Sequence, residues 1–161
     1  MSRYSGPGAI LTAVRILALD LGDARIGVAL SDETETLASG LPTLRAVSPR
    51  RDAQAVAALV REHGVGEVVV GVPWRLDGSA GSRAEQVLAF VERLRRVLDV
   101  SVTPVDERLT SVAADERLAE AGVRREDRRR RLDRAAATLI LQGYLDQRKA
   151  AAVVAGGGDA A

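Results

Sequence analysis

Three acidic positions stand at the ends of what read as separate secondary-structure elements. Asp20 closes the apolar run VRILALD, Asp106 and Glu107 close VSVTPV, and Asp133 opens a helix-periodic stretch near the C-terminal end. Carboxylates brought together repel one another, and a divalent cation is the usual means of keeping them ionised. With oxygen ligands only, Mg2+ or Mn2+ is the expected ion. Two such ions about 4 Å apart would activate a water molecule and stabilise the leaving oxygen of a phosphodiester. Each acid also has a simpler role open to it. Asp20, before Leu-Gly, can organise a turn; Asp133 can cap a helix; Asp106 and Glu107 can pair with Arg108. Chemistry is implied only by the conjunction, which requires a fold that gathers the three ends.

The elements that must do this can be read from periodicity. VRILALD and RIGVALS are strand-like and joined by a few residues including Gly22, which predicts an antiparallel hairpin, and ASGLPTLRAV holds a third strand in spite of Pro42. Ala55, Val56, Leu59 and Val60 recur at helical spacing over Asp52 to His63, and Gly64 stops that helix. GEVVVGVP is a buried strand. A helix over Ser82 to Leu98 follows, with Ala84, Val87, Leu88, Val91, Leu94 and Leu98 on one face. After VSVTPV come helices over Thr110 to Ala121 and about Leu132 to Arg148. A three-strand meander followed by alternating strands and helices predicts an α/β fold: a mixed five-stranded sheet, antiparallel then parallel, covered by helices. In such a sheet the parallel strands end on one edge, where ligands bind. If the first and fifth strands point the same way, Asp20 meets one of Asp106 and Glu107, since successive strand residues face opposite sides.

At 161 residues the chain supports one domain with a core, and not two with a cleft between them. Residues 1–13, with GPG near their start, read as a flexible arm, 14–149 as the folded domain, and 150–161 as a disordered tail. Aromatic residues make up only 2%, so Leu, Val and Ala must fill the core and few rings remain to stack on bases. Cysteine is absent, which excludes disulfides and thiolate metal sites. No run reaches the roughly 18 apolar residues of a membrane span, and a cytoplasmic protein is expected. Net charge is +1, but Lys149 is the only lysine, so the positive charge is almost all guanidinium, the fork suited to phosphate oxygens. RREDRRRRLDR, residues 124–134, places seven arginines around Asp133. As a loop it could neutralise the backbone of a polyanion approaching an acidic site, or simply be a solvated charge run. GVPWRLDGSAGSRAEQ, residues 71–86, leads from a strand into a helix whose N-terminus could hold a phosphate, although it could equally be a connection capped by Ser82. Trp74 there could stack on a base or pack on the core. The second DER triplet, Asp115 to Arg117, has no assigned role.

In order and spacing, LDLGDARIGVALSD, VVVGVPWRLDGSAGSRAEQV, VDERLTSVAADERL and LDRAAATLILQGYLD resemble the bacterial family of pre-16S rRNA nucleases, whose members are also named Holliday junction resolvases. The resemblance spans about residues 14–147 and implies a ribonuclease-H-like fold. It implies that Asp20, Glu107 and Asp133 are the catalytic, metal-binding acids, that Arg25, Arg108 and Thr110 belong to the surrounding motifs, and that the activity matures the 5′ end of the small-subunit ribosomal RNA. Arg25 and Arg108, with Arg128, Arg129, Arg130, Arg131 and Arg134 of the basic stretch, are then expected to contact nucleic-acid phosphates. The substrate expected is structured RNA, with branched DNA as the alternative; the protein is expected to act as a monomer or homodimer. A non-catalytic RNA-binding factor is a further alternative. The Asp-x-Gly hairpin is also shared with sugar kinases and actin-like ATPases, which close two domains over a nucleotide where this chain has one.

Overall fold

The computed structural model describes residues 14–108 and 119–156, with the side chains of residues 128–135 outside the described set. Among the described residues, five strands and three complete helices follow one another as β1 (Arg15–Leu21), β2 (Arg25–Ser31), β3 (Ala38–Arg45), α1 (Pro49–His63), β4 (Val65–Val72), α2 (Ser82–Val97), β5 (Ser101–Asp106) and α3 (Arg125–Gly156). The strands form one sheet in the order β3-β2-β1-β4-β5. β1–β2 and β2–β3 pair antiparallel, while β4 runs parallel to both β1 and β5. This is the mixed sheet predicted from the element order.

The sheet is covered on both faces, and its central strand is correspondingly apolar. Val68, Val69 and Val70 of β4 are fully buried. Their alternate side chains enter two cores. The larger core joins Leu17, Leu19, Val68, Val70 and Val72 to Val56 and Val60 of α1 and to Val87, Val91 and Leu94 of α2. A smaller one joins Ile16, Ala18, Ala29 and Val69 to Ala137, Ile140, Leu141 and Leu145 of α3. Trp74 packs against the larger core, which settles its role in favour of packing.

Several boundaries differ from those the sequence suggests. α1 starts at Pro49 rather than Asp52, because Ser48 caps it, its Oγ accepting from the Arg51 N–H at 3.3 Å, and proline suits the first helical position. It ends as expected at Gly64, which adopts φ 62°. Pro42 is tolerated because β3 is an edge strand whose register against β2 shifts between Ile26 and Val28, opposite this stretch. The N-cap of α2 is Gly81, with no side-chain cap, rather than Ser82.

The largest correction concerns α3. It spans 32 residues, from Arg125 to Gly156. The arginine stretch is therefore helical from Arg125 onward rather than a loop. Asp133 lies two turns inside the helix and cannot be its N-cap. The supposed tail continues the helix through AAAVVAG, since alanine is the best helix former and nothing there breaks the helix before glycine. Residues 1–13 and 157–161 lie outside the described set, as does most of the helix expected over Thr110 to Ala121.

Candidate active site

β1, β4 and β5 are parallel and adjacent, so Asp20 and the Asp106–Glu107 step reach the same edge of the sheet. Alternation along β1 sends Ile16, Ala18 and Asp20 toward α3, the first two into the smaller core. Asp20 is paired with Gly27 of β2, and a Cβ on Gly27 would stand 3.5 Å from both the Asp20 Cβ and the Ala137 Cβ. The same face of β4 presents Glu67, Val69 and Gly71 in turn. A Cβ on Gly71 would lie 2.5 Å from Ile140 Cδ1 and 3.0 Å from Glu107 Oε2. The bare glycine is therefore what admits the Glu107 carboxyl group between the sheet and α3.

There Glu107 comes close enough to Asp20 for each carboxyl group to feel the other's charge. Burial, followed by the negative charge of Asp20, pushes Glu107 up to about 7, with Asp106 adding to the rise and Arg83 opposing it. Asp106 has a different partner. Arg108 grips it through Nη2 at 2.7 Å and Nε at 3.0 and 3.2 Å, and the Arg108 backbone N–H donates at 3.0 Å. These bonds from Arg108 hold the Asp106 carboxyl below the usual carboxylate range. Of the two acids that close β5, Glu107 joins Asp20 and Asp106 is neutralised locally. Arg108 also donates to the Arg75 carbonyl, so its guanidinium is largely engaged within the protein.

Of two further contributors, Gly71 carries no sequence signal of its own and Arg83 only a faint one. Gly71 reads as one small residue in a buried strand, and only the register of β4 against β5 puts it under Glu107. Arg83, in the first turn of α2, donates to the Leu21 carbonyl and pairs with Asp23 at 3.2 Å, which fixes its guanidinium at the β1–β2 turn beside Glu107. The GSR triplet at a helix start facing an acidic hairpin was the available clue.

α3 lays Ala137 over Gly27 and Ile140 over Gly71. Position 133 is one turn before Ala137 on the same stripe of the helix, toward the edge where Asp20 and Glu107 meet. The side chains of Asp133, Arg128, Arg129, Arg130, Arg131 and Arg134 lie outside the described set, and so does Thr110 as a whole. Among the described residues no group of three or more His, Cys, Asp or Glu forms a metal cluster. What they do show is a carboxyl pair with oxygen donors only, poorly tolerated as two anions. Oxygen donors of this kind suit a hard divalent cation.

The family model described as "RuvX: Holliday junction resolvase" matches residues 14–147. A protein of Roseiflexus sp. (strain RS-1) is 44% identical, over 84% of this chain and 96% of its own. One of Moorella thermoacetica is 48% identical, over 83% of this chain and 96% of its own. Both bear the name "Putative pre-16S rRNA nuclease". Among solved structures, T. thermophilus RuvC in complex with Holliday junction substrate is similar with a TM-score of 0.54 at 16% identity, covering 84% of this chain and 96% of that one. At that identity the likeness is one of fold, the ribonuclease-H-like sheet expected from the sequence.

Proposed function

This chain belongs to the RuvX family, and from that premise we propose that it is a divalent-metal-dependent nuclease hydrolysing phosphodiester bonds of structured RNA, its substrate the 5′ end of pre-16S rRNA. The observation that carries the reading is the Asp20–Glu107 pair. Two acids 87 positions apart in sequence (107 minus 20) meet at the ligand-binding edge of an α/β sheet, where burial and their mutual repulsion raise Glu107 in spite of Arg83.

Asp20 and Glu107, with Asp133 from α3, would hold Mg2+ or Mn2+. When bound, such an ion supplies Lewis-acid stabilisation of the phosphoryl oxygens and lowers the pKa of water. The chain's own residues do the rest. Asp20 is fixed on a strand paired on both sides, so its carboxylate is held without a loop's freedom. Glu107 is seated on Gly71 and close enough to Arg83 for that guanidinium to favour its ionised form. Arg83 is anchored by Leu21 and Asp23 and brings a positive charge to the rim of the site, where a phosphate would arrive. Arg25 and the arginines of α3 would hold flanking phosphates; Arg108 would do so only through donors that Asp106 and Arg75 leave available. No described helix is long and apolar enough to cross a membrane, and a cytoplasmic site of action fits the substrate.

The test is cleavage of matched structured RNA, single-stranded DNA and four-way-junction substrates with Mn2+, comparing wild type with Asp20→Asn and Glu107→Gln. RNA cleavage by wild type that both substitutions abolish is expected; full activity in Asp20→Asn overturns the assignment. The family model's own description favours a second reading, resolution of Holliday junctions. That reaction needs two sites on one junction and hence a homodimer, so junction cleavage by a sedimenting dimer would establish it. Binding of RNA in EDTA without cleavage after Mn2+ is restored would instead indicate a non-catalytic RNA-binding factor.

A further inference from the structure

Beside the acidic pair, the start of β2 and the end of β3 face each other with like charges. Arg25 and Arg45 are direct partners in the antiparallel register, and both are exposed. Partners of this kind carry their side chains on the same face, with Cβ atoms about 5 Å apart, and like charges so placed destabilise the pairing. Neither guanidinium has an ion-pair or hydrogen-bond partner among the described residues. Other arginines around the sheet are differently placed: Arg83 is held by Asp23, Arg108 by Asp106 and Arg148 by Glu67. Arg25 and Arg45 instead line, with Ala24 and Thr43, an open groove of about 480 Å3.

The face on which this groove opens follows from strand alternation. Ile26, Val28 and Leu30 enter the core beneath α1 and α2, so Gly27 and Arg25 belong to the α3 face, and Leu44 likewise leaves Thr43 and Arg45 on that face. Asp20 is on the α3 face too, directly opposite Gly27. Arg25 lies two residues beyond Gly27, roughly 7 Å along the strand, and Arg45 about 5 Å further across the sheet. The groove and the carboxyl pair are therefore adjacent features of one surface at one edge.

We propose that Arg25, Arg45 and Thr43 form a phosphodiester-binding subsite that seats the nucleic-acid strand next to the point of cleavage. The proposal rests on the nuclease reading and extends it by a location and by two residues, Arg45 and Thr43, that the motif pattern does not mark. Two opposed guanidiniums present the paired forks that grip phosphate oxygens, and the Thr43 hydroxyl adds a neutral donor. An anion between them turns a local repulsion into attraction, which explains why the fold retains a charge pair that none of the described acids neutralises.

The experiment measures binding of a single-stranded RNA oligonucleotide in EDTA across a salt series, for wild type, Arg45→Ala, Arg45→Lys and Arg61→Ala. Arg61 is exposed in the last turn of α1, on the opposite layer, so its removal changes net charge equally. Arg45→Ala is expected to weaken binding several-fold and to lower the slope of log K against log salt by about 0.7, the loss of one single-strand phosphate contact. Arg45→Lys should keep the slope and Arg61→Ala should leave both quantities unchanged. Arg45→Ala should melt no lower than wild type, because a repulsion is removed. Equal slopes for wild type and Arg45→Ala, or an equal fall in Arg61→Ala, would overturn the subsite while leaving the nuclease reading intact. A wild-type protein that neither binds nor cuts RNA would overturn that reading and the subsite with it.

Discussion

The face of the sheet beneath α3 carries partly buried acids at both ends, and the two ends are built on opposite principles. At the N-terminal end of β4, the Glu67 carboxylate accepts from the Tyr144 hydroxyl at 2.5 Å, the Thr103 hydroxyl at 3.1 Å and Arg148 Nη1 at 3.1 Å. Four residues along the same strand, Gly71 makes room for Glu107, whose neighbour is another carboxyl group. Glu67 ties helix to sheet, with a phenol, a hydroxyl and a guanidinium sharing one negative charge. Glu107 is left with a repulsion that an external cation would relieve. The acid ringed by donors is a fastening; the acid set beside another acid is the candidate site.

Substitutions can break this contrast from either side. The largest effect should follow Asp20→Asn: RNA cleavage falls by at least about 10²–10⁴-fold, the scale of a lost catalytic group, while the melting temperature stays level or rises. A variant that loses activity only because it unfolds would show that the pair is also a fastening. Calorimetric melts run beside the cleavage assay decide the matter. Next is Tyr144→Phe, which leaves Glu67 short of a donor in a half-buried place and should cost about 1.5–3 kcal/mol. Burial, then the bond to Glu67, raises the Tyr144 phenol to about 12 from its ordinary 10.0. A raised acid contributes stability below its unfolded value that is lost as pH climbs through the folded one. Wild type should therefore lose stability between about pH 10 and 12 by a slope that the Tyr144→Phe variant lacks.

Glu107→Gln makes the comparison quantitative. With a folded pKa of about 7 against the ordinary 4.5, Glu107 stabilises the metal-free protein only while it is protonated. That stability is fully present below about pH 4.5 and is lost as pH rises through 7, on the order of 2 kcal/mol in all. In EDTA, Glu107→Gln should equal wild type near pH 4 and exceed it above pH 7. Denaturant midpoints at the two pH values check this. Equal pH slopes in the two proteins would mean that Glu107 is as well satisfied as Glu67.

How much of this was legible beforehand follows from what kind of signal each feature leaves. Strands β1, β2 and β4 and the helices α1 and α2 are written in periodicity, and the sheet order follows from a hairpin meander and from crossovers. That Asp20 would meet an acid from β5 is readable as topology; that the acid is Glu107 follows from no strand alternation and is given only by the family resemblance. The choice turned on Arg108, which draws Asp106 away through bonds no spacing rule anticipates. Gly71 and Arg83 were hidden for the same reason: each matters through a partner on a different strand or turn. α3 was underestimated because its arginine and alanine stretches lack an apolar stripe, and the sequence reading took loss of amphipathicity for loss of helix. The Glu67 cluster is not legible either, since it joins β4, β5 and α3 through residues spread over 81 positions.

The smallest effect tests which part of the Glu67 cluster holds α3 down. Arg148 contacts Glu67 at 3.1 Å and lies 5.7 Å from the centre of the Tyr144 ring, so it too is within bonding reach of the carboxylate, though further off than the phenol at 2.5 Å. Its side chain, however, is 47% exposed, whereas that of Glu67 is 17% exposed. An ion pair with one partner in water recovers little, because the guanidinium forgoes hydration and side-chain freedom to make it. Arg148→Ala should accordingly cost less than about 1 kcal/mol, and most of that should vanish in high salt, while Tyr144→Phe should be nearly salt-independent. Parallel denaturant titrations of the two variants at low and high NaCl measure both quantities. If Arg148→Ala proved the costlier, the charge of Glu67 would be balanced by Arg148 rather than by the phenol. The two ends of the face would then differ in whether an arginine bonds the acid directly, as Arg148 bonds Glu67, or acts on it only through its charge, as Arg83 acts on Glu107.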